Sequence, residues 1–205
     1  MPARTIFHLI RHAAHDRVGS VLVGRLNGVH ISITGRAQAK ELAHHFAREE
    51  IAAVISSPRE RAQETADPIA QALGMTHRVS NALDEVNFGG WQGRSFGDLA
   101  EDPGWSRWNA FRSMTRPPRG ETIAEVQARM LGELLHLHAT MPGSQFILVS
   151  HAEPIRACLL HVLGLSADFW NRIEIEPASI STLAFDETGG RILRMNMPVS
   201  VRVPA

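Results

Sequence analysis

"QFILVSHAEPIRACLLHVLG", residues 145–164, holds both halves of an α/β unit. Residues 145–150 form a short apolar run without charge, the pattern of a strand buried on both faces. The "EPIRACLLHVLG" that follows has helical periodicity and closes on Gly164. His151 stands where the strand ends and the helix opens.

The same alternation recurs upstream. "TIFHLI" (5–10) reads as a first strand, ending in Arg11-His12 with His15 just beyond. "TGRAQAKELAHHFAREE" (34–50) reads as a helix with Thr34 as its N-cap and Leu42 and Phe46 on one face. "AAVISS" (52–57) is a second strand, and Pro58 opens a helix over "RERAQETADPIAQAL" that Pro68 is expected to interrupt. "THRV" (76–79) suggests a short strand, and a long helix is expected over 123–139. "ISTLAFD" and "RILRMNM" around Glu187-Thr188-Gly189-Gly190 read as a terminal hairpin whose exposed apolar edge leaves a homodimer open. The implied fold is α/β: a three-layer sandwich with a mostly parallel central sheet flanked by helices. Residues 1–205 form one domain. Periodicity fails between 87 and 120, and residues 86–120 are expected to form a cap or lid.

Composition narrows the function. Lys+Arg and Asp+Glu balance at 21 each, so no polyanion-binding surface is implied and nucleic acid is not an expected partner. A lone cysteine, Cys158, excludes an internal disulfide framework and fits a helix core. No apolar run approaches the roughly 20 residues that cross a bilayer, and "IFHLI" is too short for a signal core. The expectation is a soluble, cytoplasmic protein without membrane association. His8 and His12 would lie roughly 13 Å apart at about 3.3 Å per strand residue, too far to share a metal, and no metal or cofactor is expected.

The chemistry collects at strand exits. In a parallel sheet these share one edge, so Arg11, His12, Arg61 and His151 can converge on one pocket. Two guanidinium forks and nearby helix N-termini suit a phosphoryl group. An imidazole near its ordinary pKa can act as a nucleophile at pH 7. A leaving alkoxide would further need a carboxylic acid with a raised pKa.

These segments resemble the histidine phosphatase superfamily, which includes the cofactor-dependent phosphoglycerate mutases. "LIRHAAHD" is similar to its Arg-His-Gly signature, "VISSPRERAQETA" to its second signature and "LDEVNFGGWQG" to its acid-bearing loop. "LVSHAEPIRA" resembles the second-histidine segment, and "GRLNGVHISITGRAQA" the loop and helix between the first two signatures. The resemblance implies that His12 becomes phosphohistidine while Arg11, Arg61 and His151 bind the phosphoryl group. It implies Glu85 as the acid, with Asp84 one register away, and Gly24, Arg25 and Ala152 as substrate contacts. Ala13 and Ala152 replace the usual glycines, Ala14-His15 the usual Glu-Thr or Glu-Ser, and Val18 a frequent asparagine. The expected activity is metal-independent hydrolysis of a small phosphate monoester. A phosphomutase is the alternative within the family, disfavoured by the short stretch after Glu85. A catalytically silent member that binds phosphate esters or another protein is the alternative outside enzymes. The basic aromatic stretch with Arg94, Arg107, Arg112, Arg116 and Arg119 among Trp91, Trp105, Trp108 and Phe111 reads either as a solvated cap or as a selective lid.

Overall fold

The structure, a computed structural model, describes residues 4–17 and 19–199; Val18 lies outside the described residues. β1 (Thr5–Arg11), β2 (Ala53–Ser56), β3 (Arg78–Val79), β4 (Gln145–Ser150), β5 (Ile180–Asp186) and β6 (Gly189–Met197) make one six-stranded sheet in the order β3-β2-β4-β1-β5-β6. The ladders from β3 to β1 are parallel, and β5 and β6 add antiparallel ones. The mostly parallel sheet therefore carries an antiparallel edge.

Alternation along the central strands creates the layers. Phe7 and Leu9 of β1 join Phe146 and Leu148 of β4 on one face, under Met130 and Leu134 of α5 (Ile123–Thr140) and Leu159 of α6 (Ala152–Val162). Ile10, Ile147 and Val149 point to the other face, under Leu42 and Phe46 of α1 (Ile33–Phe46) and Ile69 of α2 (Glu60–Ala72). Cys158 is buried in the first layer, where burial pushes its thiol up to about 12. No helix among the described residues is long and apolar enough to cross a membrane.

Several local expectations are corrected. Helix α1 is capped by Ser32, whose hydroxyl accepts from the Gly35 amide at 3.0 Å, so Thr34 already lies inside the helix. Helix α2 runs unbroken through Pro68. Proline removes one donor from the ladder, but Ala66, Ile69 and Ala70 are buried on either side and tertiary packing outweighs the loss. Residues 86–120 contain two short helices, α3 (Phe96–Ala100) and α4 (Pro103–Ala110), too brief for periodicity to reveal. Together with Trp91 from the turn before them, they pack Leu99 and Trp108 against Ile123, Val126 and Ala157 in a third apolar cluster.

The first turn of α1 lies directly on the loop after β1. The Ala14 carbonyl accepts from the Ser32 amide at 2.9 Å, and a Cβ on Gly35 would fall 2.2 Å from that oxygen. Alanine at this site gains helix propensity worth about 1 kcal/mol, while a clash with fixed backbone costs roughly 1–3 kcal/mol. At 2.2 Å the clash belongs at the upper end of that range, so Gly35→Ala is expected to lower stability by about 1–2 kcal/mol in denaturant unfolding. Wild-type stability in that variant would show that the loop yields.

Candidate active site

Register brings the strand exits together. Arg11 pairs with Ser150 and Ser56 with Val149, so β1, β2 and β4 end on one edge. A cavity of about 340 Å³ opens there, lined by Arg11, His12, His15, Arg61 and Glu85 among others.

His12 follows β1 and is buried. Its Nδ1 lies 2.9 Å from the Ala13 carbonyl, which can only accept. Nδ1 therefore carries the proton and Nε2 keeps its lone pair. Burial, reinforced by Arg61 and Arg11, holds the ring's pKa well below the ordinary value, so it is neutral at pH 7. The next amide, from Ala13, donates to the Thr65 hydroxyl of α2 at 2.9 Å. Ala13 has no positive φ, so glycine is not required there.

Arg61 enters from the first turn of α2 and is 1% exposed. Its Nη2 donates to the Gly24 carbonyl at 2.8 Å and to His151 Nδ1 at 3.0 Å. Because that nitrogen accepts, the His151 proton sits on Nε2 and is donated to Ser57 Oγ at 2.7 Å. Ser57 donates in turn toward Asp84 Oδ1, 3.4 Å away. Arg11 donates through Nη1 to the Ile175 carbonyl at 2.6 Å. Arg11 Nε, Arg61 Nε and Arg61 Nη1 are buried without a partner.

Glu85 completes the cluster. Its Oε1 accepts from the Val86 amide at 2.9 Å, and Oε2 lies 3.8 Å from His151 Nδ1. Burial raises its pKa to about 7, against the opposing pull of Arg61 and the Val86 amide. The adjacent Asp84 does not line the cavity. It accepts from the Glu85 amide at 2.8 Å and lies 3.2 Å from Arg25 Nε and 3.0 Å from Arg59 Nε. The environments of the two acids thus separate them: one faces the pocket, the other is enclosed by cations behind it.

The structure brings Arg11, His12, Arg61, Glu85 and His151 into one cluster, and Gly24 and Ala152 line the cavity. Arg25 is turned elsewhere. Its guanidinium donates to the Glu85 carbonyl at 2.7 Å and to Glu121 at 2.9 Å, so it buttresses the acid loop from behind. His8 is occupied on the sheet by Thr182 and Gln145, both at 3.3 Å. The sequence reading missed the far wall. There Glu153 pairs with Arg112 and Arg156, and the Arg112 guanidinium lies 3.6 Å over the Trp170 ring. The charged and aromatic pattern of residues 91–119 hinted at Arg112, but its partners come from α6 and the turn beyond it.

A family model described as the histidine phosphatase superfamily (branch 1) matches residues 7–198. The chain belongs to this superfamily. An uncharacterised protein of Mycobacterium tuberculosis, Rv0525, is 33% identical over 193 residues, covering 91% of this chain and 93% of that one. Phosphoserine phosphatase 1 of Hydrogenobacter thermophilus is 29% identical over 195 residues, covering 92% and 90%. The solved structure of mycobacterial glucosyl-3-phosphoglycerate phosphatase Rv2419c superposes with a TM-score of 0.85 at 26% identity, covering 95% of this chain and 99% of that one. Proteins named as probable phosphoglycerate mutases are also among the relatives.

The buried imidazoles couple stability to pH. His8, His12, His15 and His151 all have pKa values lowered by burial, so below about pH 6.5 the unfolded chain binds protons that the folded chain refuses. Their stabilisation is complete above that pH and is lost as pH falls. Glu85, raised to about 7, acts in the opposite sense, as one group against four. Thermal melts are expected to drop by several degrees between pH 7 and pH 5; a flat profile would contradict the neutral, buried assignment of these rings.

Proposed function

We propose that the protein is a metal-independent phosphatase that hydrolyses a small-molecule phosphate monoester through a covalent phosphohistidine at His12. The observation that carries this reading is the set of buried guanidinium N–H groups without partners, Arg11 Nε, Arg61 Nε and Arg61 Nη1, on the two arginines that line the pocket with a neutral imidazole. Orphaned charged donors are costly, and a tetrahedral dianion satisfies them.

The residues support a two-step displacement. The His12 Nε2 lone pair attacks phosphorus as the P–O bond to the alcohol breaks. Glu85, protonated in a large fraction of molecules near pH 7, gives its proton to the departing oxygen. The phosphorylated ring retains its Nδ1 proton and becomes cationic, a charge that the Ala13 carbonyl stabilises by accepting the Nδ1–H hydrogen bond. Arg11 and Arg61 hold the non-bridging oxygens as negative charge spreads over them. Water then attacks phosphorus, Glu85 takes its proton, and the P–N electrons return to Nε2, releasing inorganic phosphate. The stretch of 35 residues from Val86 to Gly120 favours water over a second hydroxyl as acceptor. The same reading assigns the activity to the cytoplasm and to small phosphorylated substrates rather than nucleic acid.

Turnover of p-nitrophenyl phosphate is expected in EDTA, and His12→Ala should reduce it by on the order of 10³-fold or more with melting retained. Glu85→Gln should cost about 10²–10⁴-fold on alkyl phosphates. It should spare release of p-nitrophenolate, a leaving group that needs no proton, so that an acid-labile, alkali-stable phosphoenzyme accumulates. For wild-type enzyme, kcat/KM on alkyl esters should fall as pH rises through about 7, where Glu85 loses its proton. Phosphate binding without any turnover would favour the silent alternative, and migration of phosphate within one sugar acid would favour a mutase.

A further inference from the structure

Neither step above uses His15, although it is a second imidazole in the same cavity wall. The side chain is 8% exposed, and its ring stacks on that of His12 with centroids 5.4 Å apart and planes 25° from parallel. Its tautomer is set locally. The Arg17 amide donates to Nδ1 at 3.2 Å, so in the neutral ring the proton resides on Nε2. Burial, with Arg61 and Arg11 adding to it, depresses the pKa to about 4, so the ring is neutral at pH 7. Among the described residues, no protein group accepts from Nε2. His15 is thus a largely buried ring whose Nδ1 is tied to the Arg17 amide and whose Nε2–H has no protein partner among these residues and remains open, in the wall of the cavity and directly beside the ring that faces the anion site.

A stacking platform alone would not need this chemistry. Phenylalanine would cover the His12 ring as well, and would leave no polar atom to satisfy. A neutral donor adds something that the two arginines cannot: a hydrogen bond to a phosphoryl oxygen that places no further positive charge against the His12 nucleophile.

We propose that His15 contacts substrate directly, with its Nε2–H donating to a non-bridging oxygen of the phosphoryl group held beside His12. The proposal rests on the phosphatase reading of the pocket. It adds a residue that belongs to this chain's own sequence, where the family's usual Thr or Ser is replaced.

Inorganic phosphate is the probe, with binding measured by calorimetry and the His15 ring followed by ¹⁵N NMR at pH 7. His15→Phe keeps an aromatic surface and removes the donor; His15→Gln restores an N–H near the Nε2 position. Phosphate affinity is expected to fall roughly tenfold or more in His15→Phe, the range of a hydrogen bond to a charged group, and to stay within about threefold of wild type in His15→Gln. In wild-type protein, phosphate should shift the Nε2 resonance while Nδ1 remains unprotonated. Unchanged affinity in a folded His15→Phe, or an unperturbed Nε2 resonance in phosphate-saturated wild type, would overturn the proposal and leave the phosphatase reading standing. Failure of the wild-type protein to bind phosphate would instead remove the anion site on which both rest. Should His15→Phe melt below the assay temperature, the wild-type resonance and His15→Gln still decide.

Discussion

A guanidinium buried to the degree of Arg61 cannot recover in water the hydrogen bonds it leaves unmade in the protein. Only Nη2 has partners, the Gly24 carbonyl and His151 Nδ1, while Nε and Nη1 have none. A buried charge with donors left unmade is tolerated only where surrounding structure over-determines it. Here α2 supplies that structure: Ala62, Ala66 and Ile69 fix the helix in the core, and Thr65 both bonds the Arg61 carbonyl and receives the Ala13 amide. The helix that positions the arginine thereby also positions the loop that carries His12. Stability of α2 and readiness of the pocket for an anion are the same property of the fold.

The charges around this centre are arranged in pairs of opposite fate. Asp84 and Glu85 are neighbours in sequence, yet their surroundings differ, and burial drives Glu85 toward neutrality. Asp84 sits between Arg25 and Arg59, whereas Glu85 looks into a desolvated cavity with Glu153 and Asp84 adding repulsion. Glu153 is itself half-buried but is held ionised by Arg112 and Arg156, and its pKa is lowered despite the loss of solvent. Glu85 can thus hold a proton near pH 7 beside a Glu153 that is held ionised, a separation of carboxyl environments of the kind that acid–base chemistry requires.

How far the sequence anticipates this arrangement depends on the range of the interactions involved. Strand–helix alternation and the strand exits are local, and Arg11, His12, Arg61 and His151 were legible from them. Cap identity was less so: Ser32 and Thr34 both carry hydroxyls, and the choice follows from the contact of Ser32 with the Ala14 carbonyl, 18 positions upstream. Pro68 illustrates the opposite error, a strong local rule overruled by burial on both sides. Arg25 falls where the family resemblance implies a substrate contact, but its guanidinium is drawn behind Glu85 by Asp84 and Glu121, which only the tertiary fold brings near. The pairing of Arg112 with Glu153 across 41 positions was invisible for the same reason.

The antiparallel edge of the sheet has a consequence for the site that a wholly parallel sheet would not provide. A parallel neighbour of β1 would send the residues after it toward the edge that holds the pocket. Because β5 runs the other way, the residues before it arrive there, immediately beyond the Ile10–Ile180 pair. Residues 175–179 consequently wrap the end of β1: Ile175 receives the Arg11 guanidinium, Ser179 receives the Arg11 amide at 3.2 Å, and the Ala178 amide reaches the Arg11 carbonyl at 3.1 Å. To present that amide Ala178 adopts φ +59°, an uncommon conformation for a residue with a Cβ that costs on the order of 1 kcal/mol or more. The strain sits in a buried turn that satisfies the backbone of the residue before His12, where an unpaired carbonyl would cost as much or more. Reversal of one strand thus provides the backbone partners that hold Arg11 at the mouth of the anion site.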